Sequence, residues 1–133
     1  METAEAQERS AYSLRNAGDT EGALGAYQRA ADAYAREGDT LGEAHAVRHV
    51  GDILRGLQRY READRRYERA LVLYEARDDR LDLDLANALR GYALSLEAQG
   101  KEATAFWQRA HTLYQAAGVE AGVAESRSRP TRY

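Results

Sequence analysis

The chain is expected to be an all-α protein built from stacked helical repeats, and three observations lead there. The first is an internal echo: Ala23, Tyr27, Arg29, Ala30 and Tyr34 return forty residues later as Ala63, Tyr67, Arg69, Ala70 and Tyr74. They return again as Ala103, Trp107, Arg109, Ala110 and Tyr114. A fixed period with small and aromatic residues at fixed offsets is the pattern of helix pairs that bury their faces against neighbouring pairs, forming a solenoid. The second is proline: the only one is Pro130, so no obligatory helix breaker precedes it. The third is that the chain is rich in Ala, Leu, Arg and Glu, all strong helix formers.

Glycine and aspartate clusters punctuate the pattern at Gly18-Asp19, Gly38-Asp39, Gly56, Asp78-Asp79, Gly100 and Gly118. Glycine accepts the left-handed conformation that ends a helix, and Asp or Thr just beyond it caps the next. These breaks predict helices at about 3–17, 20–37, 40–57, 60–78, 80–99, 102–117 and 120–128. The second helix of each pair is the clearer one. In the fourth helix, Ala63, Tyr67, Ala70, Leu71 and Tyr74 fall at i, i+4, i+7, i+8 and i+11, a single apolar stripe. The third helix shows Val47, Val50, Gly51 and Leu54 on one face, and Gly91 follows Gly51 by forty in the fifth. The seventh, VEAGVAESRSR, is short and mostly polar, as a terminal element that must solvate its outer face should be. A break inside a longer array is the alternative. The recurring Tyr34, Tyr74 and Tyr114 read as packing rings that keep a polar contact at the hydroxyl. Arg29, Arg69 and Arg109 read as a solvated face with partly buried stems.

At 133 residues the chain fits one domain, assigned to about 1–129, followed by a short basic, disordered tail at 129–133. With no cysteine there are no disulfides and no thiolate chemistry, which fits a reducing compartment. The N-terminus carries three acids, Glu2, Glu5 and Glu8, and no apolar stretch of the secretory type, and no run reaches the length of a membrane span. A cytoplasmic protein without membrane contact is therefore expected. Net charge is −3, and with Arg127, Arg129 and Arg132 set aside the rest carries −6, which argues against nucleic-acid binding.

The offsets resemble the tetratricopeptide repeat. Its small first-helix residue corresponds to Ala11, Gly51 or Gly91. Its second-helix trio corresponds to Ala23-Tyr27-Ala30, Ala63-Tyr67-Ala70 and Ala103-Trp107-Ala110. The period of forty is similar to the longer-repeat branch found in kinesin-light-chain-like proteins and many bacterial regulators. The large residue usual near the start of the first helix is replaced by Gln7, Val47 and Asn87. The resemblance implies a right-handed superhelix of three hairpins, at about 3–38, 40–78 and 80–118, with a capping helix at about 119–128. It also implies a concave groove lined by first helices, in which a partner peptide or helix binds.

Carried over residue by residue, that groove comprises Glu5, Glu8, Arg9, Tyr12, Arg15 and Asn16, then His45, Arg48, His49, Asp52 and Arg55, then Leu85, Ala88, Leu89, Tyr92, Ser95 and Leu96. Arg9, Arg15, Arg48 and Arg55 are the expected electrostatic contacts, Tyr12 and Tyr92 the stacking contacts, and Leu85 and Leu89 the apolar anchors. The expected partner is an acidic protein segment with apolar anchors, held by arginine forks. Alternatively Leu85, Leu89 and Leu96 pack beneath the seventh helix, and the arginines are solvated or paired with Glu5, Glu8 and Asp52. The carboxylate clamp of one subfamily is not matched: Glu8, Tyr12, His49, Leu85 and Leu89 stand where its Lys, Asn and Arg would be.

His45, His49 and Asp52 share a helical face at i, i+4 and i+7, a spacing that suits a metal, but Arg48 and Arg55 flank them and like charge opposes a cation. No metal or cofactor is expected. No serine has a His–Asp companion on its helix face, and the glycines follow the repeat and form no phosphate-cradling loop. The expected role is a non-enzymatic interaction module, an adaptor or scaffold. Alternatives are self-association as a homodimer and a peptide-sensing regulatory domain.

Overall fold

The computed structural model describes residues 2–77, 79 and 82–129. The described residues form seven helices and no strand. These are α1 (Ala4–Asn16), α2 (Thr20–Glu37), α3 (Thr40–Gly56), α4 (Tyr60–Glu75), α5 (Asp82–Ala98), α6 (Thr104–Ala117) and α7 (Glu120–Arg127). None is long and apolar enough to cross a membrane.

Local chemistry sets the boundaries. Asp19 accepts from the Gly22 amide at 2.9 Å, and Asp39 accepts from Gly42 at 2.8 Å, so each aspartate caps the helix it precedes. Gly38 and Gly118 end α2 and α6 with φ of 74° and 72°, in the left-handed region. Between α3 and α4 the residue in that region is Gln58, at φ 62°. The helix expected from 102 starts at Thr104, because the Glu102 carboxylate folds back onto the Ala103 and Thr104 amides and the Thr104 hydroxyl. The helix expected to run to 78 ends at Glu75. Asp78, Arg80 and Leu81 lie outside the described residues.

Each helix packs against the next in the chain, and α3 also meets α5. Small residues allow this closeness: Ala4, Ala11, Ala23, Ala30, Ala44, Ala46, Ala63, Ala70, Ala86, Ala88 and Ala110 are wholly buried. The Tyr67 ring lies between two glycines, Gly51 of α3 and Gly91 of α5. A Cβ at Gly51 would stand 3.1 Å from that ring, and one at Gly91 would stand 2.5 Å from it. Only glycine leaves room at the second position. A related contact recurs eighty residues apart. The Tyr34 ring occupies the place of a Cβ on Gly42 (2.5 Å), and the Tyr114 ring does the same to Gly122 in α7 (2.4 Å).

The three recurring tyrosines are buried, and each hydroxyl finds a first-helix side chain. Tyr34 donates to Glu8 at 3.1 Å, Tyr114 donates to Asn87 at 2.7 Å, and Tyr74 lies 2.6 Å from His45 Nδ1. Arg29, Arg69 and Arg109 are exposed and reach Gln7, Glu43 and Glu75.

Two expectations need correction. Leu89 is wholly buried and Leu96 nearly so, while Leu85 is half-buried against the core, so Leu89 offers no exposed anchor. Leu89 shares a core cluster with Ala110 and Tyr114 of α6, against which Val119 and Val123 also pack; Leu96 lies in a separate cluster with Trp107. Arg129, assigned to the tail, lies 4.5 Å over the Trp107 ring and 3.4 Å from Glu97. The rest of the expected tail, 130–133, falls outside the described residues.

Candidate functional site

A cleft of about 630 Å³ opens between α1 and α3. It is lined by Glu8, Arg9, Tyr12, Ser13, Tyr27, His45, Arg48, His49 and Asp84. Of the expected groove residues it brings together Arg9, Tyr12, His45, Arg48 and His49 with Glu8. Arg15 stands at its edge, where Nη1 meets His49 Nδ1 at 3.3 Å. Asn16 is exposed at the last turn of α1. Tyr92 lies elsewhere, tilted against Phe106 with centroids 4.8 Å apart and stacked at 6.4 Å on Tyr67.

Arg48, in the cleft wall, belongs to a charged network. Asp52 accepts from the Tyr67 hydroxyl at 2.6 Å and from Arg48 Nη1 at 3.1 Å. Arg55 donates through Nε to the same hydroxyl at 3.0 Å, with Nη2 3.7 Å from Asp52. Burial, with Asp52 alongside, raises the Tyr67 phenol well above its ordinary value, so it stays a neutral donor. Burial opposes the charge on Arg48, but Asp52 and Tyr74 outweigh it and hold the guanidinium charged. Arg48 Nε is buried with no partner among the described residues. The donors of Arg48 and Arg55 thus point mostly at their own fold, so these two follow the alternative of pairing with Asp52 and are not free contacts for a ligand.

His49 stacks on Tyr27, with centroids 4.8 Å apart and planes 18° from parallel. A guanidinium has no acceptor, so at 3.3 Å from Arg15 the His49 Nδ1 must be the acceptor and the ring neutral. Burial, helped by Arg48, lowers its pKa to about 4. His45 is lowered too, by burial first and against the pull of Asp84, whose carboxylate lies 4.0 Å away. The Tyr74 phenol beside it is pushed up to about 12, chiefly by burial. With Asp52 held by Tyr67 and Arg48, and His49 Nδ1 taken by Arg15, the three side chains considered for a metal are engaged elsewhere. No group of three ligating side chains among the described residues could hold one.

Sequence reasoning missed Asp84, Ser13 and Tyr27. Tyr27 was legible as a packing ring, yet its stacking partner His49 carries it to the cleft wall. Asp84 enters from α5, twenty-eight positions beyond Gly56, by a tertiary approach that no spacing rule signals. A second cavity of about 370 Å³ lies between α6 and α7, lined by Trp107, His111, Ser126 and Arg129 among others.

No protein-family model matches the chain, and no curated protein matches it.

Proposed function

We propose that this chain is a tetratricopeptide-like domain of long period, a right-handed array of three helix pairs, that works as a non-enzymatic adaptor in the cytoplasm. In this reading α7 is the first helix of a fourth pair serving as a cap. The forty-residue echo supports it, as do the matching ring-on-glycine contacts of Tyr34 with Gly42 and Tyr114 with Gly122. The ligand is a peptide or helix of another protein, held in the cleft between α1 and α3.

The observation that carries this reading is Tyr12. It is the most exposed large apolar-bodied side chain among the described residues, at 62%, and it stands at the lip of a polar cleft with arginines on either side along α1. A tyrosine ring left in water beside a concavity is what a binding surface keeps and a folding core does not.

A random twelve-residue display library panned against the wild-type chain and against Tyr12→Ala/Arg9→Glu tests the reading. Both substituted side chains are exposed, so the fold should survive. Peptides enriched on the wild type and lost on the double variant are the expected result. Enrichment on neither protein, with dimers in light scattering, moves the function to self-association.

A further inference from the structure

One row of side chains on α1, at the cleft and its edge, carries charge in order. Glu8, Tyr12 and Arg15 occupy i, i+4 and i+7 of α1, so they form one row along the helix: carboxylate, aromatic ring, guanidinium. Seven residues at 1.5 Å rise separate the ends by about 10 Å. Both end charges are met by neutral groups. Glu8 accepts from the Tyr34 hydroxyl at 3.1 Å, and Arg15 contacts His49 Nδ1 and the Tyr27 hydroxyl. Arg48, by contrast, is matched by Asp52 at 3.1 Å. Asp84, across the cleft beside His45, adds a second carboxylate at the Glu8 end; Arg9, which also lines the cleft, is one position on from Glu8 and stands about 100° round the helix from this row.

A purely acidic partner would have to place a carboxylate near Glu8 and Asp84, and like charges across an interface oppose binding. We infer that the cleft selects a segment of another protein carrying a basic, an apolar and an acidic side chain in that order across about 10 Å. The basic residue meets Glu8 and Asp84, the apolar residue covers Tyr12, and the acidic residue meets the exposed guanidinium of Arg15. In a helical ligand the three stand at i, i+4 and i+7. In an extended one they fall within about four residues, at roughly 3.3 Å each. This inference rests on the peptide-binding reading above and replaces the acidic partner expected from sequence.

Charge reversal tests it. Twelve-residue display selections are run on the wild type, on Glu8→Lys and on Arg15→Glu, with circular dichroism and melting confirming each fold. Wild-type peptides should show the basic, apolar, acidic order. Glu8→Lys should exchange the basic residue for an acidic one, and Arg15→Glu should exchange the acidic residue for a basic one. In fluorescence anisotropy each reversal should weaken the wild-type peptide about tenfold or more, with the matching reversed peptide restoring affinity. Should Glu8→Lys lose its fold with the Tyr34 contact, the exposed Arg15 position still decides. Peptides with acidic residues only, or a charge order untouched by either reversal, overturn the inference and leave peptide binding standing. Selections that enrich nothing overturn both.

Discussion

His49 is half-buried between Tyr27, Arg15 and Arg48, and that position makes it sensitive to acid. Its folded pKa of about 4 lies below the ordinary imidazole value of about 6.5, so the unfolded chain takes up a proton more readily. The stability it confers is complete above about pH 6.5 and is lost as pH falls through about 4, by at most about 1.4 kcal/mol per unit. His49→Gln should flatten the decline between pH 6.5 and 4 in urea unfolding; an unchanged slope would show that the ring titrates normally. A second residue-scale prediction concerns Gln58, which holds φ 62° where glycine is at ease. Gln58→Gly should stabilise the chain by roughly 0.5–1 kcal/mol, since relief of left-handed strain exceeds the added unfolded-state entropy. A lower melting temperature would refute this. The residue scale is also where sequence reading stopped short. Asp52 between Arg48 and Arg55 is visible as helical spacing. The hydroxyl that joins them comes from Tyr67, on another helix, and only the packing reveals that the arginines are spoken for.

Helices are legible where one stripe is apolar and the caps are strong. The span expected at 20–37 is α2, with Asp19 at one end and left-handed Gly38 at the other. The fifth helix resists such reading because leucine surrounds it. Leu83 is exposed, Leu85 and Leu94 are half-buried, and Leu89 and Leu96 are in the core, so the sequence shows no preferred face. Burial of Leu89 makes a sharp prediction: Leu89→Ala should cost about 2–5 kcal/mol in chemical unfolding, and a loss below 1 kcal/mol would place that side chain at the surface. The junction of α4 with α5 makes another. A methyl at Gly91 meets the Tyr67 ring at 2.5 Å, inside van der Waals contact. Tyr67 is anchored by Asp52 and Arg55 and has little freedom to withdraw. Gly91→Ala should therefore destabilise by about 1–3 kcal/mol. The equivalent change at Gly51, where the ring stands 3.1 Å away, should cost less. Equal effects at the two sites would mean that the ring moves freely.

At the scale of the whole molecule, the seven helices pack in chain order, with α1, α3 and α5 all contributing to one cleft. The seven helices among the described residues are legible in the sequence from the glycine and aspartate breaks. The sequence does not reveal the balance of charge inside the cleft, because that depends on which ions neutralise one another across helices. The proposed meeting place of this chain and its partner is the α1–α3 cleft. Amide chemical-shift mapping during titration with a display-selected peptide tests it most directly. Saturable shifts concentrated on residues 8–16 and 45–52 are predicted, with the α6–α7 end undisturbed. Shifts centred on Trp107, His111 and Arg129, or spread over the outer faces of α2 and α4, would contradict it.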